Sequence, residues 1–390
     1  MSGIAGEMME PARAVNPSAG THPITLAVRQ VSGAEWDAII GDFDEVCQEQ
    51  MHAFAATRWP GVAQEPLVFQ RGSTVVGGAL VMIQPLPLGV GNMAVVKWAP
   101  MLASASAPDA EALRAAMVDS LAKDYAEKRG MVLSVLLHAS ASETHQGYVA
   151  LRQRGFRRGS TLLFPSRYMV RLRLSDEELR KSFHQTWRRQ LNKAEKSGLE
   201  FSRVEPEGIE AFKELYAAMT ERKQFPDHSA YETLDALMAL DEPLRPELFF
   251  VRHEGETVAG ALVFKAGKRT VYLYGATNDK ALPLRAGYFL HWHVIRWLRD
   301  HTRADWYDLG GTDGFQGLHQ FKSGMVGTAG AIRPVPPVLN YATSPWAGFI
   351  GTAAFTARDI VQHTRRHIDG LRSSKARPDQ EPYVWDESFK

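Results

Sequence analysis

Two stretches of the chain share one pattern of apolar and polar positions. Glu65–Met82 reads EPLVFQRGSTVVGGALVM, and Pro246–Phe264 reads PELFFVRHEGETVAGALVF. Each is an apolar run, a short polar turn holding glycine, and a second apolar run through Gly-Ala-Leu-Val. Short apolar runs bounded by turn residues predict a β-hairpin in each stretch. Setting Gly78 against Gly260 gives an offset of 260 − 78 = 182 residues, with one extra residue in the second turn.

The flanking patterns correspond as well. After the first hairpin, a strand over Val90–Trp98 leads to the helical stretch APDAEALRAAMVDSLAKDYAEKRG and then to the strand MVLSVLLHA. Pro108 lies near the helix start and Gly130 stops it. After the second hairpin, KRTVYLYGATND leads to RAGYFLHWHVIRWLRDHTRAD, which has apolar residues at helical spacing, and then to WYDLGG. The recurring order of hairpin, strand, helix and strand predicts a duplicated α+β unit. The plan is a flexible tail over residues 1–22, a first unit over 23–167, and a second over 168–340. The joint falls near Arg167-Tyr168. A C-terminal helix within 345–372 and a loose tail to 390 complete the chain, with Tyr383 and Trp385 offering aromatic docking groups.

Leu174–Leu199 reads as one helix. Ser175 and Glu178 form a capping box, acids fill the first turn, and Ser197-Gly198 end it. Arg189, Lys193 and Lys196 share a face, at i, i+4 and i+7. Such a face is either a solvated surface or a phosphate-binding one, and spacing alone favours the solvated reading.

Composition narrows the class. The chain has 390 residues, a net charge of +1 and one cysteine, Cys47. No global field advertises a polyanion partner. One cysteine excludes an intramolecular disulfide and a cysteine-based zinc cage, and it fits a reducing cytoplasm. The N-terminus lacks the pattern of a signal peptide. No segment reaches the roughly 18 to 20 apolar residues of a membrane span. His291 and His293 are two apart on a helix and diverge, so they make a poor metal pair. No Gly-x-Ser-x-Gly elbow supports a serine triad.

One stretch carries chemistry of its own. Tyr307–Met325, YDLGGTDGFQGLHQFKSGM, combines an apolar start, a glycine pair, a polar loop and a single lysine, Lys322. From the residues alone Lys322 is as readily a surface lysine near a turn as a site residue.

In order along the chain, HQTWRRQLNKAEKSGLEF, MTERKQF, YLYGATND, YFLHWHVIRW and YDLGGTDGFQGLHQFKSGM resemble the successive signatures of the Fem-type aminoacyltransferases. The resemblance covers about residues 168–330 and is weaker in the first half. It implies two tandem GNAT-like domains, α+β with mixed sheets flanked by helices. Leu199–Phe249 is too short for the coiled-coil arm of some members. It implies transfer of an amino acid from an aminoacyl-tRNA to an amine of a UDP- or lipid-linked muropeptide. It implies no cofactor and no metal, a monomer, and work in the cytoplasm, with peripheral contact at the inner face of the membrane.

Residue by residue, Lys322 and Phe321 match the family's Phe-Lys pair at the reaction centre. Arg222 matches a phosphate ligand, Arg58 a basic residue that meets substrate phosphate in the first half, and Tyr274 a tyrosine beside the acceptor groove. Tyr274 reads equally well as a core aromatic. One departure stands out. Where the family often has Arg-Gly-Pro followed by Asp, this chain has WAPMLASASAPD, with Asp109 displaced into a helix start. That leaves the general base unassigned. Neither Asp308 nor Asp313 takes a catalytic role, though Asp308 is placed to anchor the loop.

Two other readings stay open. An acyl-CoA N-acyltransferase wants a glycine-rich loop at a helix start to cradle pyrophosphate, and LPLRAGYF fills that pattern poorly. A non-catalytic binding module would suit a degenerate first half, but the Phe-Lys-x-Gly motif argues against it.

Overall fold

The computed structural model describes residues 24–86, 91–223, 230–343 and 385. The N-terminal tail, the expected helix within 345–372 and Tyr383 lie outside them. The first half comprises β1 (Ala27–Gln30), α1 (Gly33–Ile40), α2 (His52–Arg58), β2 (Ala63–Arg71), β3 (Thr74–Pro85), β4 (Asn92–Lys97), β5 (Met101–Leu102), α3 (Ala110–Leu121), β6 (Val132–Leu136), α4 (Gln146–Gln153) and β7 (Arg157–Arg158). The second comprises β8 (Ser166–Arg171), α5 (Asp176–Ser182), α6 (Gln185–Ala194), β9 (Leu199–Val204), α7 (Ile209–Lys223), α8 (Leu234–Met238), β10 (Glu247–His253), β11 (Glu256–Phe264), β12 (Arg269–Thr277), α9 (Ala281–Leu284), α10 (Ala286–His301), β13 (Trp306–Asp308), α11 (Gln316–Val326) and β14 (Ala331–Pro334). A further strand, β15 (Leu339–Tyr341), is the last among the described residues.

The strands form two sheets. One runs β1-β2-β3-β4-β6-β15-β7, with β5 beside β3; the other, read from its far edge, runs β9-β10-β11-β12-β13-β8-β14. Position matches position along the two. Each sheet is antiparallel except at one pair, β4 with β6 and β12 with β13, where a helical crossover supplies the parallel step.

The hairpin registers sharpen the repeat. Val68 faces Gly78, and Phe250 faces Gly260, so both partners shift by the same 182 residues. The β-bulge falls at Phe69/Gln70 in one hairpin and at Val251/Arg252 in the other, again 182 apart. The offset runs unbroken through the turns, because Arg71 faces Thr74 and His253 faces Glu256. The extra residue expected in the second turn is therefore absent. Both loops have two residues, and only the position of glycine differs. Gly72 takes positive φ in the first, and Glu254 and Gly255 both take it in the second.

Two boundaries depart from expectation. The second unit does not run to residue 340, because β15 pairs with β6 and β7 in the first sheet. The helix expected over Leu174–Leu199 is two helices. Its capping box forms as expected. Phe183 and His184 then take extended backbone, and the end of α11 pins the break. His184 N donates to Gly324 O at 3.0 Å, and Thr328 N donates to Ser182 O at 2.9 Å. Arg189 and Lys193 stand exposed on α6 and Lys196 in the turn after it, without an ion pair among the described residues.

Each half has its own core, and the halves meet along a continuous contact. Phe264, Ala266 and Val271 of the second half pack with Phe43, Val46 and Cys47 of the first. Arg303 clasps the same loop, donating to Asp44 Oδ1 at 2.6 Å and Phe43 O at 2.9 Å. Trp385 is buried, with its ring 5.5 Å from that of Tyr148.

Candidate active site

The site is built where β12 and β13 part. Their last parallel pair is Val271 with Asp308. Beyond it the chain turns through Leu309, Gly310 and Gly311, and α11 brings Lys322 back into the gap. Lys322 Nζ donates to Leu309 O at 2.7 Å and Gly311 O at 2.5 Å. Gly310 has φ +76°, and a Cβ there would lie 3.9 Å from Lys322 Nζ. Glycine thus permits both the turn and the approach of the lysine. Burial, then the nearby Arg167 charge, lower the Lys322 amine to about 8.

Asp308 sets the floor of this site. It is fully buried and bound by Arg167 through both oxygens, at 3.0 to 3.1 Å, and it accepts from Gly310 N at 2.9 Å. Burial opposes its charge, but Arg167 and Arg269 outweigh burial and hold the carboxyl below its ordinary range. The loop anchor read from the sequence is thus also half of a buried ion pair. Arg167 was legible only as a joint residue and Arg269 not at all. The available signal was an aspartate in an apolar strand, which demands a buried counter-cation.

Phe321 packs between the helices that flank the gap. Its ring lies 5.0 Å from Tyr288, 5.6 Å from His291 and 6.3 Å from Trp187. It also covers the first turn of α10, where a Cβ on Gly287 would sit 3.8 Å from it. His291 is buried, with Nδ1 3.2 Å from Tyr307 Oη. Burial, helped by the Lys322 charge, pushes it down to about 3, so it is neutral.

The matched tyrosine is a different case. Tyr274 is buried, and its hydroxyl meets Ala230 O at 2.7 Å and Thr233 Oγ1 at 3.0 Å. It packs with Phe212 of α7, on the face of the sheet away from Lys322. The tyrosine on the Lys322 face is Tyr272, which stacks edge-on to His291 at 4.9 Å. Strand alternation puts residues 272 and 274 on one face. A bulge intervenes, since Val263 faces Tyr272 while Leu262 faces Tyr274, leaving Leu273 unpaired. Burial raises the Tyr272 hydroxyl, so it stays a donor.

Arg58 and Arg222 lie apart from Lys322. Arg58 pairs with Glu232 across the two halves, beside the turn that holds Tyr274. Arg222 pairs with Asp279 at 2.7 Å and donates to Thr277 O at 2.9 Å, at the far end of β12. The five matched residues thus form two groups on opposite faces of β12.

The first half closes on the second with its own charged groups. Glu49 and Lys97 form an ion pair at 3.6 Å. Lys97 Nζ lies 5.2 Å from the Trp59 ring and 5.7 Å from the Trp98 ring. Trp98 stacks on His138 at 4.5 Å, and Arg269 donates to Ala139 O at 2.7 Å. Burial, then the charges of Arg269 and Arg167, keep His138 neutral.

Comparison with known proteins agrees with this architecture. Residues 181–323 match the family model described as an acetyltransferase (GNAT) domain. A stretch of 60 residues is 35% identical to the lipid II:glycine glycyltransferases of Staphylococcus saprophyticus and Staphylococcus aureus, covering 15% of this chain and 14% of each relative. The match thus spans about one seventh of those relatives. The crystal structure of FemX superposes with TM-score 0.65 at 18% identity, over 81% of this chain and 97% of that one. L-PGS from Bacillus licheniformis superposes with TM-score 0.51 at 11% identity, over 82% and 95%.

The fold is thus GNAT-like, and the segment 181–323 is similar to the acetyltransferase (GNAT) domain. At 18% identity the likeness to FemX is one of fold.

Proposed function

We propose that the protein forms an amide bond, moving an aminoacyl group from the ester of a charged tRNA to an amine of a peptidoglycan precursor. The observation that carries this reading is Lys322, drawn into the gap between β12 and β13 on the carbonyls of Leu309 and Gly311. An activated ester makes the reaction downhill, so the protein has to orient the amine and stabilise the oxyanion. Lys322 supplies a preorganised cation for that oxyanion or for the departing ribose oxygen. Tyr272 supplies a neutral donor on the same face. Phe321 aims the lysine.

The first turn of α10 supports a donor other than acyl-CoA. A pyrophosphate cradle needs open backbone amides at a helix start. Here the Phe321 ring lies over that turn, and Arg285 precedes it in the left-handed region with φ +61°. Arg58 and Arg222 serve as phosphate ligands of the acceptor, in exchange for Glu232 and Asp279. Among the described residues no helix is long and apolar enough to cross a membrane. The reaction so assigned belongs on the cytoplasmic side, with a UDP- or lipid-linked acceptor.

The test offers a set of charged tRNAs and a set of acyl-CoAs, with a UDP-muropeptide as acceptor. Transfer from charged tRNA is expected. Transfer from acyl-CoA alone sinks the tRNA reading, and tight binding without turnover favours a binding module.

A further inference from the structure

An attacking ammonium must lose two protons in becoming an amide. One leaves with the alcohol of the ester, and the other needs an acceptor. The sequence left that acceptor open, and the structure narrows it. Asp308 is sealed behind Arg167. Glu45 is bound by Arg114 at 2.6 and 2.9 Å and accepts from Leu102 N at 2.8 Å. Glu232 is held by Arg58. Asp313 is exposed on the loop before α11, where water keeps it solvated.

Glu49 differs from all of these. Its partner, Lys97 Nζ, stands 3.6 Å away, beyond hydrogen-bond distance, so its oxygens keep lone pairs to offer. Its side chain is 15% exposed, shielded but reachable. The backbone around it is fixed. Gln50 is fully buried, accepts from Leu80 N at 2.8 Å and donates to Lys97 O at 2.5 Å, and Trp36 Nε1 donates to Gln50 O at 2.7 Å. The Trp59 and Trp98 rings beside Lys97 show that this wall already accommodates a primary ammonium. This wall meets the floor of the Lys322 site: Arg269 stands 3.9 Å from Asp308 and donates to Ala139 O at 2.7 Å, next to His138, whose ring stacks on Trp98 beside Lys97.

We propose that Glu49 is the group that binds the acceptor ammonium and takes its proton. This rests on the amide-forming reading above, but not on the identity of the donor. The ammonium first pairs with the carboxylate and passes it one proton. The neutral nitrogen then bonds to the ester carbonyl carbon, whose oxyanion faces Lys322. As the carbon–oxygen bond breaks, the second nitrogen proton leaves with the departing oxygen, giving the alcohol. Glu49 afterwards returns its proton to water. Lys97 from β4 pairs with Glu49, and the other groups that feel its charge are Arg167 from β8, Tyr274 from β12 and Cys47 on its own turn. Burial keeps the last two protonated.

The test measures kcat across pH 6 to 7.5, below the Lys322 transition, on the full chain with whichever donor the wild type uses. In Glu49→Gln, kcat is expected to fall about 10²–10³-fold, the scale of lost proton transfer. The logarithm of the remaining rate should rise by about one per pH unit, as free amine replaces the lost acceptor, where the wild type is flat. Glu49→Ala should regain rate with added formate. A Glu49→Gln rate within threefold of wild type overturns the proposal. So does a loss with an unchanged pH profile and no rescue, or the same signature in Asp313→Asn instead.

Turnover with acyl-CoA alone removes the tRNA reading and leaves this test intact, since that amine must also lose its proton. If neither donor turns over, calorimetric binding of Nα-acetyl-lysine amide decides. At least tenfold weaker binding in Glu49→Gln supports the ammonium site. Equal binding, or none to wild type, overturns it.

Discussion

The two halves use one scaffold for different ends. In the first, the parallel pair β4/β6 ends at Lys97 and Leu136, and the space beyond is filled by Trp98 stacked on His138. In the second, β12 and β13 part after Val271 and Asp308, and the space receives Lys322. Beneath the gap the contrast continues. Traced from the matched hairpins, Met82 faces Val95, which faces Ser134; Phe264 faces Val271, which faces Asp308. Ser134 donates to Asn340 at 2.6 Å, a neutral bond, where Asp308 carries a buried ion pair. A duplicated scaffold therefore need not give two sites. One copy filled its gap with aromatic rings and kept a neutral floor. The other left the gap for a cation and charged the floor beneath it.

Substitutions that exchange these features should separate the halves. Asp308→Ala leaves Arg167 buried without its carboxylate, and unfolding in denaturant should show a loss of about 3–5 kcal/mol. Ser134→Ala, its neutral counterpart, should cost about 1 kcal/mol. Equal losses would erase the contrast.

Lys322→Met should lower the transfer rate about 10²–10³-fold, the scale of one lost oxyanion donor, while far-UV circular dichroism stays unchanged. Because the cation is the working form, wild-type rate should fall as pH rises through about 8. A rate that climbs through that point would make Lys322 a base instead. Stability carries the opposite signature. The folded amine sits below its ordinary value of 10.5, so its buried charge disfavours folding below pH 8. That penalty fades between pH 8 and 10.5, where the unfolded chain binds more protons. The Tm advantage of Lys322→Met over wild type should shrink across that window.

The smallest effects distinguish the two tyrosines. Tyr272→Phe should lower the rate about tenfold, the worth of roughly one hydrogen bond to a developing charge, with little change in Tm. Tyr274→Phe should leave the rate intact and cost about 1 kcal/mol of stability, since it empties a bond to Ala230 O. The reverse pattern would move the reacting amine to the face of β12 that carries Tyr274, Arg58 and Arg222.

Much of this was readable from the residues. Hairpin periodicity and the Gly-Ala-Leu-Val echo disclosed the duplication, because a repeated register leaves a repeated pattern. The Phe-Lys pair was legible through the family resemblance, since the residues alone fit a surface lysine equally well. What escaped detection depends on geometry that composition does not carry. Tyr272 and Tyr274 are indistinguishable until a bulge turns one away. Arg167 and Arg269 look like ordinary strand cations until Asp308 is seen buried between them. Glu49 has no motif at all, and what sets it apart is its shielded place beside Lys97, 48 residues downstream. The break at Phe183-His184 is set by Gly324 and Thr328, far downstream, so no local signal marks it.

The return of β15 to the first sheet bears on how the chain is made. Leu339–Tyr341 sits between β6 and β7, two strands that leave the ribosome long before it. The first sheet therefore cannot close when its own half has been synthesised. It waits, with an open slot, until the whole second half has emerged. Domains usually fold as units, amino-terminal first. Here β15 sews the two halves together, so neither is a finished body without the other, and a cut at the joint near Arg167 would yield no intact half.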